Sequence, residues 1–138
     1  MDGRGRIMLP APFRDLVRDE LILMLWTENA VKAFTPETFT VWLQEHGTRI
    51  LQSNALVLRR MIGSSTRVSV DDAHRLVIPP MVRSFMGYTT STGAVFLVGT
   101  GDCFELWRPE NFLAYAGQHF RDSQVREEAH DIGEARMP

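Results

Sequence analysis

The sequence "DGRGRIMLP" at residues 2–10 is followed later by a close copy, "DDAHRLVIP", at residues 71–79. Each copy places an aspartate four residues before an arginine, and three apolar residues and a proline follow that arginine. A polar loop leading into a short apolar stretch that ends at proline is typical of a turn and a short strand. Because so specific a pattern occurs twice in 138 residues, the chain is predicted to contain two related units.

A second pair of similar stretches occurs in the same order. The sequence "AFTPETFTVW" at 33–42 matches "LWRPENFLAY" at 106–115. The first pair is separated by 69 residues and the second by 73, so the second unit contains four additional residues. We place them in "GYTTSTG" (87–93), which is rich in glycine and threonine. Two matches in one order predict an internal duplication.

Each unit has the same order of predicted elements. A loop leads to a short strand, a short helix opened by prolines, a buried strand, a second short strand, and a helix beginning at Pro36 or Pro109. This order predicts an α+β fold. The predicted division is a first unit at 1–47, a linking helix within 48–64, a second unit at 65–117 and a charged C-terminal tail at 118–138. The linking helix, at roughly 51–62 and ended by Gly63, has a broad apolar stripe that suggests burial on two sides, including against another subunit.

The charge and the hydropathy of the sequence limit the classes of protein to which the chain can belong. The net charge is −2, yet residues 1–83 hold eleven basic against nine acidic residues, and residues 84–138 hold four against eight. The longest apolar runs are too short to span a bilayer, no basic region precedes an apolar stretch at the N-terminus, and there is one cysteine. These features predict a cytoplasmic protein without a membrane partner.

Residues typical of catalysis or metal binding are scarce. The four histidines lack zinc-ligand spacing, Cys103 lies in an apolar strand pattern, and "GTGD" at 99–102 is better interpreted as a hairpin turn than as a phosphate loop. The sequence therefore predicts no enzyme activity, no cofactor and no metal. Six aromatic residues are predicted to lie in the core: Trp26, Phe34, Trp42, Phe96, Phe104 and Trp107. Arg14 and Arg83, one in each short helix, are predicted to form structural ion pairs.

The doubled loop and its neighbours resemble the MraZ proteins of bacteria. The resemblance rests on "DGRGRIMLPAPFRDLV", "LRRMIG" and "FLVGTGDCFELW", and it covers roughly residues 1–117. It implies two AbrB-like swapped-hairpin units that interlock in one pseudo-two-fold small β-barrel with flanking short helices. It also implies a ring-like homo-oligomer, associated with the nucleoid, that binds repeated boxes in double-stranded DNA and regulates the division and cell-wall gene cluster.

The resemblance also implies which residues face DNA. Arg6 and Arg75 are the arginines of the two Asp-x-x-Gly-Arg loops, and Arg4 stands where the family usually has lysine. An arginine at a hairpin tip can bind guanine through two hydrogen bonds. Asp2, Gly5 and Asp71 are the loop-structuring residues, because an aspartate can orient a guanidinium and glycine permits a left-handed turn.

The sequence departs from the family pattern in two places. His74 stands where the second loop would have glycine, so that loop is predicted to be structural, with Arg75 paired to Asp71 or Asp72. A strand, Val68-Ser69-Val70, precedes the second loop, whereas only Met1 precedes the first. We expect the first hairpin to lack its first strand, through a late start assignment, a truncation or a real loss. A real loss would leave the apolar strand of the first unit without a partner and impair DNA binding.

An alternative from another class of protein is an interaction protein, either an antitoxin-like or a scaffold subunit. In that interpretation the apolar faces and the acidic C-terminal half bind another protein, with weak or no DNA binding. The two hypotheses differ in what Arg6→Ala would do: a DNA regulator would lose operator affinity, whereas a scaffold would keep its partner.

Overall fold

A computed structural model describes residues 1–52, 55–101 and 103–118. The strands are β1 (Arg6–Met8), β2 (Glu20–Leu25), β3 (Val31–Phe34), β4 (Thr66–Ser69), β5 (Arg75–Val77), β6 (Phe96–Gly99) and β7 (Phe104–Trp107). The helices are α1 (Ala11–Arg14), α2 (Pro36–Gln52), α3 (Ala55–Gly63), α4 (Pro80–Met86) and a helix over 109–118, which we call α5. The chain therefore has the mixed helix and strand content that the sequence predicts.

The strands form two antiparallel sheets. Five strands pair in the order β4-β2-β3-β7-β6, and β1 and β5 form a separate two-stranded ribbon. The expected single closed barrel is therefore wrong for the described residues. Closure would require the outermost strands β4 and β6 to bond to each other or to the ribbon, whereas β1 and β5 are bonded to each other.

The ribbon also corrects an expectation about the first apolar strand. β1 has a partner, because Ile7 pairs with Leu76 in the antiparallel ladder with β5. Ile7 and Leu76 face inward and are buried, and the residues that follow the two strands, Leu9 and Ile78, are fully buried. A strand ahead of the first loop is thus not needed for β1 to be paired.

Three ladders join the two halves, and two of them, β1–β5 and β3–β7, have a symmetric register. In the ribbon, Arg6 lies opposite Val77 and Met8 lies opposite Arg75. If each residue of the ribbon is replaced by its counterpart 69 positions away, the same residue pairs result. In the β3–β7 ladder, Val31 lies opposite Leu106 and Ala33 lies opposite Phe104, and exchanging positions that differ by 73 again changes nothing. The two halves therefore meet across a local two-fold axis at both ladders.

One apolar core lies between the ribbon and the five-stranded sheet. Its members come from both halves, namely Ile7, Leu9, Leu21, Leu23, Val31, Val68, Val70, Leu76, Ile78, Val82, Met86, Phe104 and Leu106 among others. A smaller cluster of Met24, Phe34 and Trp42 lies where α2 packs on the sheet. The larger cluster therefore draws on both halves, whereas the three buried members of the smaller cluster all come from the first half.

The predicted aromatic core is confirmed at four positions and differs at two. Phe34, Trp42, Phe104 and Trp107 are buried. Trp26 is half-buried against Trp42. Phe96 is exposed, because β6 is an outermost strand with no neighbour on its other edge among the described residues.

The link between the halves differs in its boundaries from the prediction. α2 continues through Gln52 and Gly47 does not end it, so residues 48–52 belong to the helix that begins at Pro36. α3 follows and ends at Gly63. Of the predicted tail at 118–138, only residue 118 is among the described residues. A search of the described helices finds none with the length and apolar character needed to cross a membrane.

Candidate nucleic-acid interface

The first loop is organised around the side chain of Asp2. Its Oδ1 accepts hydrogen bonds from the backbone N–H groups of Arg4 and Arg6, each at 2.9 Å, and its Oδ2 accepts one from Arg6 Nε at 2.8 Å. The backbone closes the same turn, because Asp2 N donates to Arg6 O and Gly5 N donates to Asp2 O. The aspartate therefore fixes both the loop backbone and the arginine that leaves it.

The second loop has the same bonds at corresponding positions. Asp71 Oδ1 accepts from the N–H groups of Ala73 and Arg75 at 2.9 Å, and Asp71 Oδ2 accepts from Arg75 Nε at 3.1 Å. The predicted pairing of Arg75 with Asp71 is therefore present. Because Arg6 pairs with Asp2 in the same way, this pairing does not distinguish a structural loop from a DNA-contacting one.

Both loops need a residue with a positive φ angle at one place. Gly5 has φ +76° and His74 has φ +60°. Histidine thus adopts the left-handed conformation that glycine has in the first loop, at a cost that glycine does not have. The carbonyl groups of these two residues also join the halves: Ile78 N donates to Gly5 O at 2.9 Å, and Leu9 N donates to His74 O at 2.8 Å.

These hydrogen bonds lower the pKa of both aspartates. The backbone N–H of Arg6, above all, lowers the pKa of Asp2 from 3.8 to about 2, and the Arg4 N–H and the Arg6 guanidinium add to this effect. The backbone N–H of Arg75 likewise lowers the pKa of Asp71. Both loops are therefore built around ionised carboxylates at neutral pH.

The arginine side chains retain hydrogen-bonding capacity. Arg6 and Arg75 are 32% and 41% exposed, and within the described part of the chain each uses only Nε for its aspartate. Their Nη groups are free to bind an acceptor from a ligand. Arg4 is exposed, and only its backbone N–H is bonded to the loop. Each predicted DNA-contacting arginine is thus accessible.

Arg83 lies beside the first loop, and sequence reasoning missed it. Its guanidinium occupies the space next to Gly5: a Cβ built on Gly5 would lie 1.7 Å from Arg83 Nη1. The predicted structural ion pairs are not found among the described residues, where neither Arg83 nor Arg14 pairs with a carboxylate. Arg14 Nε instead donates to Leu9 O at 2.8 Å. The only sequence signal for Arg83 was its match to Arg14, which gives no indication that α4 places it at the first loop.

The insertion in the second half supports the first loop. Ser91, in the segment 87–93, donates from Oγ to Gly3 O at 2.7 Å. Tyr88 donates its hydroxyl to Ala94 O, and burial raises the pKa of Tyr88 to about 12. The segment 87–93, in which the sequence predicts the additional residues, therefore contacts the first loop.

Comparisons with known proteins identify relatives over most of the chain. Residues 61–133 match the family described as "MraZ protein, putative antitoxin-like". A protein of Coxiella burnetii named transcriptional regulator MraZ is 31% identical over 114 residues, covering 78% of this chain and 73% of the relative. The chain belongs to the MraZ family. Proteins of the same name from Treponema denticola (96% of this chain, 94% of the relative) and Leuconostoc mesenteroides (86% and 82%) are each 29% identical to it.

In this MraZ-family chain, the accessible face of the ribbon combines two arginines with two apolar side chains. Arg6 and Met8 alternate with buried Ile7 along β1, and Arg75 and Val77 alternate with buried Leu76 along β5. Met8 is 56% and Val77 is 47% exposed. Because the register is symmetric, each arginine lies opposite an apolar residue of the other strand.

The two loops of this MraZ-family chain differ in charge. Residues 2–6 contain Asp2, Arg4 and Arg6, for a formal charge of +1. Residues 71–75 contain Asp71, Asp72 and Arg75, for a formal charge of −1 with histidine neutral. The guanidinium of Arg83 adds a further positive charge at the first loop. The first loop is therefore the better site for a polyanion.

Proposed function

We propose that this chain is a sequence-specific DNA-binding transcriptional regulator and that the first loop is its main reading element. The single observation that carries the proposal is the Asp2-organised loop, which presents Arg4, Arg6 and Arg83 together. The names of the relatives support regulation of transcription. A chain acting in this way would work in the cytoplasm at the nucleoid.

The loop suits recognition of a base edge as well as of phosphates. Asp2 holds Arg6 through Nε, which fixes the guanidinium plane before DNA is bound and lowers the entropy lost on binding. The Nη groups can then donate to O6 and N7 of guanine in the major groove. Arg4 and Arg83 lie nearby without a described ion pair, which suits contact with phosphates on either side of that base.

The second loop takes a smaller part in this proposal. Arg75 lies on the same ribbon face as Arg6 and has the same bond to an aspartate. Asp72, however, adds a negative charge to that loop, and Ala73 replaces the basic residue found at position 4. Arg75 therefore contributes a second base or phosphate contact that is weaker than that of Arg6.

The finer parts of the proposal concern architecture and target. In this proposal two AbrB-like units related by duplication form one DNA-binding protomer. The symmetric registers of the ribbon and of the β3–β7 ladder support that arrangement. Several protomers in a ring-like homo-oligomer would present several first loops to repeated boxes, and linked contacts would offset the weak charge of each chain. The target is a promoter-proximal set of repeats ahead of the division and cell-wall gene cluster.

A salt titration of DNA binding tests the proposal. The probe is a duplex from upstream of the chain's own gene, compared with a shuffled duplex of the same composition. We expect preference for the native duplex and loss of that preference in Arg6→Ala. Arg75→Ala removes the same aspartate bond from the other loop and should reduce the preference less than Arg6→Ala does. Equal affinity for both duplexes, or an Arg6→Ala protein that still discriminates, would overturn the proposal.

A further inference from the structure

The outward face of the two-stranded ribbon carries the same kinds of side chain in both halves. Side chains alternate along a strand, so Ile7 and Leu76 point inward and are buried. The outward face holds two arginines and two apolar residues, namely Arg6, Met8, Arg75 and Val77. The apolar pair has no part in the contacts that the two loops make with their arginines.

The two apolar side chains of this face are accessible, although the opposite face of the ribbon is buried. Met8 is 56% and Val77 is 47% exposed. An antiparallel pair of strands with one solvated face usually carries polar side chains on that face. The two positions differ by 69, so both halves place an apolar residue at the same point of the repeat. An exposed apolar position that recurs in both halves points to an apolar contact with a ligand.

The exposure of this face is a property of the ribbon itself. In the second half, β4 precedes the loop at 71–75 and pairs with β2. Val77, on the strand that follows that loop, is nevertheless almost half exposed. A strand that precedes a loop therefore leaves the outward face of the ribbon uncovered.

Each apolar residue of the face lies directly opposite an arginine. Arg6 pairs with Val77, and Met8 pairs with Arg75. Directly opposite residues have Cβ atoms about 5 Å apart, which is comparable with the separation of about 3.4 Å between successive base pairs. The two pairs lie two residues apart along the ribbon, about 7 Å or about two base steps. The face therefore matches a run of about four base pairs in the major groove, which admits a two-stranded ribbon.

We propose that this face enters the major groove and that Val77 and Met8 recognise thymine through its C5-methyl group. The inference rests on the proposed function, in which Arg6 binds guanine. Among the four standard bases only thymine presents a methyl group in the major groove. An apolar side chain beside an arginine therefore distinguishes thymine from the other bases next to the guanine. The ligand is double-stranded DNA with guanine and thymine in neighbouring base pairs.

The local two-fold axis of the ribbon determines how these bases are arranged. It exchanges the pair of Arg6 and Val77 with the pair of Arg75 and Met8. Contacts related by a two-fold axis recognise an inverted repeat. The second pair binds more weakly, because Asp72 adds a negative charge to its loop and methionine is more flexible than the β-branched valine. The box is therefore a short, imperfect inverted repeat in which one guanine and thymine pair dominates.

The charge and the size of this face favour DNA over a protein partner. Arg6 and Arg75 use only Nε for their aspartates among the described residues, so each apolar residue has a guanidinium with hydrogen-bonding capacity beside it. A stable protein interface buries about 800 Å² on each partner, and two apolar side chains are too few to form its core. They are sufficient for contact with two methyl groups in a groove.

Replacing thymine by deoxyuridine tests the inference, because this change removes only the methyl group. The probe is the native duplex of the salt titration, with each thymine replaced singly and the affinity measured at one salt concentration. We expect about fourfold weaker binding at one thymine, as for the loss of one buried methyl group, and a smaller loss at its two-fold counterpart. Val77→Ala should be insensitive to deoxyuridine at the first thymine, and Met8→Ala at the second. Leu16→Ala is the matched control and should keep both losses, since Leu16 is 64% exposed and lies outside the ribbon.

The guanine in the neighbouring base pair provides the second arm of the test. Replacing it by 7-deazaguanine removes the N7 acceptor, which should weaken binding by the parent but not by Arg6→Ala. If the parent prefers the native duplex but deoxyuridine has no effect at any thymine, the inference is wrong and the proposed function stands. A Val77→Ala protein that still senses the first methyl group would also overturn the inference alone.

Two further outcomes would overturn the inference for other reasons. A parent that does not distinguish the native from the shuffled duplex would show that both the inference and the proposed function are wrong. A lower oligomer mass for Val77→Ala in light scattering, with the deoxyuridine losses unchanged, would assign the face to a protein contact. The deoxyuridine scan of the parent needs no variant, so it does not depend on how Val77→Ala folds.

Discussion

Lys32 lies directly opposite Glu105 where β3 and β7 meet, with 3.7 Å between Nζ and Oε2. The two positions differ by 73, the offset that relates the later parts of the two halves. Identical residues would therefore face each other here and would repel if both were charged alike. Lysine in one half and glutamate in the other give a complementary pair that is only 12% and 15% exposed.

Reversing one charge of this pair should destabilise the fold. In Lys32→Glu, two carboxylates face each other at the centre of the sheet, and the contact of Lys32 Nζ with the Trp26 ring, 4.7 Å from its centroid, is lost. The double variant Lys32→Glu/Glu105→Lys should recover part of the stability. We expect a coupling free energy of about 1 kcal/mol from urea unfolding of the two single variants and the double variant. Strict additivity would contradict this prediction.

Glycine at position 5 should be required for the first loop. Gly5→Ala places a Cβ on a backbone with φ +76°, and it also pushes away the Arg83 guanidinium. The expected loss is about 1–2 kcal/mol of unfolding free energy, since left-handed backbone is strained for residues with a Cβ. His74→Gly is the matched change in the other loop and should not destabilise the protein, because it removes the same strain. Thermal unfolding of both variants would check this, and an unchanged Tm for Gly5→Ala would contradict it.

The loop aspartates should make stability fall at low pH. The folded protein lowers the pKa of Asp2 from 3.8 to about 2, so the stabilisation is complete above pH 3.8 and is lost as the pH falls toward 2. Asp71 acts in the same direction. Asp2→Asn should therefore be less stable than the parent at neutral pH, and the difference should shrink on acidification through this range.

A neighbouring aspartate supplies the control for that experiment. Asp72 is exposed, and it accepts no hydrogen bond from the described residues. Asp72→Asn is the control because it removes a loop carboxylate without removing a described hydrogen bond. Urea unfolding at several pH values between 2 and 7 would compare the three proteins. A constant difference between Asp2→Asn and the parent across this range would show that the carboxylate does not titrate with folding.

The sequence predicted local features better than long-range ones. The paired loops and the Asp71–Arg75 bond followed from residues close together in the chain. Arg83 was misjudged because its place beside Gly5 depends on how α4 packs against the other half. The sequence also predicted a closed barrel where the sheet is open. The residue pattern identifies β1 and β5 as strands but does not determine which other strands they pair with.

The salt dependence of DNA binding should separate the roles of the arginines. Arg4→Ala should weaken binding to all sequences and lower the salt slope by about one, as expected for one lost phosphate contact. Arg83→Ala should have the same effect, because the proposal places its guanidinium at a phosphate of the DNA backbone. Arg6→Ala should reduce discrimination between native and shuffled duplexes by about 1–3 kcal/mol. Arg18→Ala is the control, because Arg18 is exposed and lies in the segment between α1 and β2, outside both loops. A loss in Arg18→Ala equal to that in Arg4→Ala would mean that overall charge, and not the first loop, determines binding.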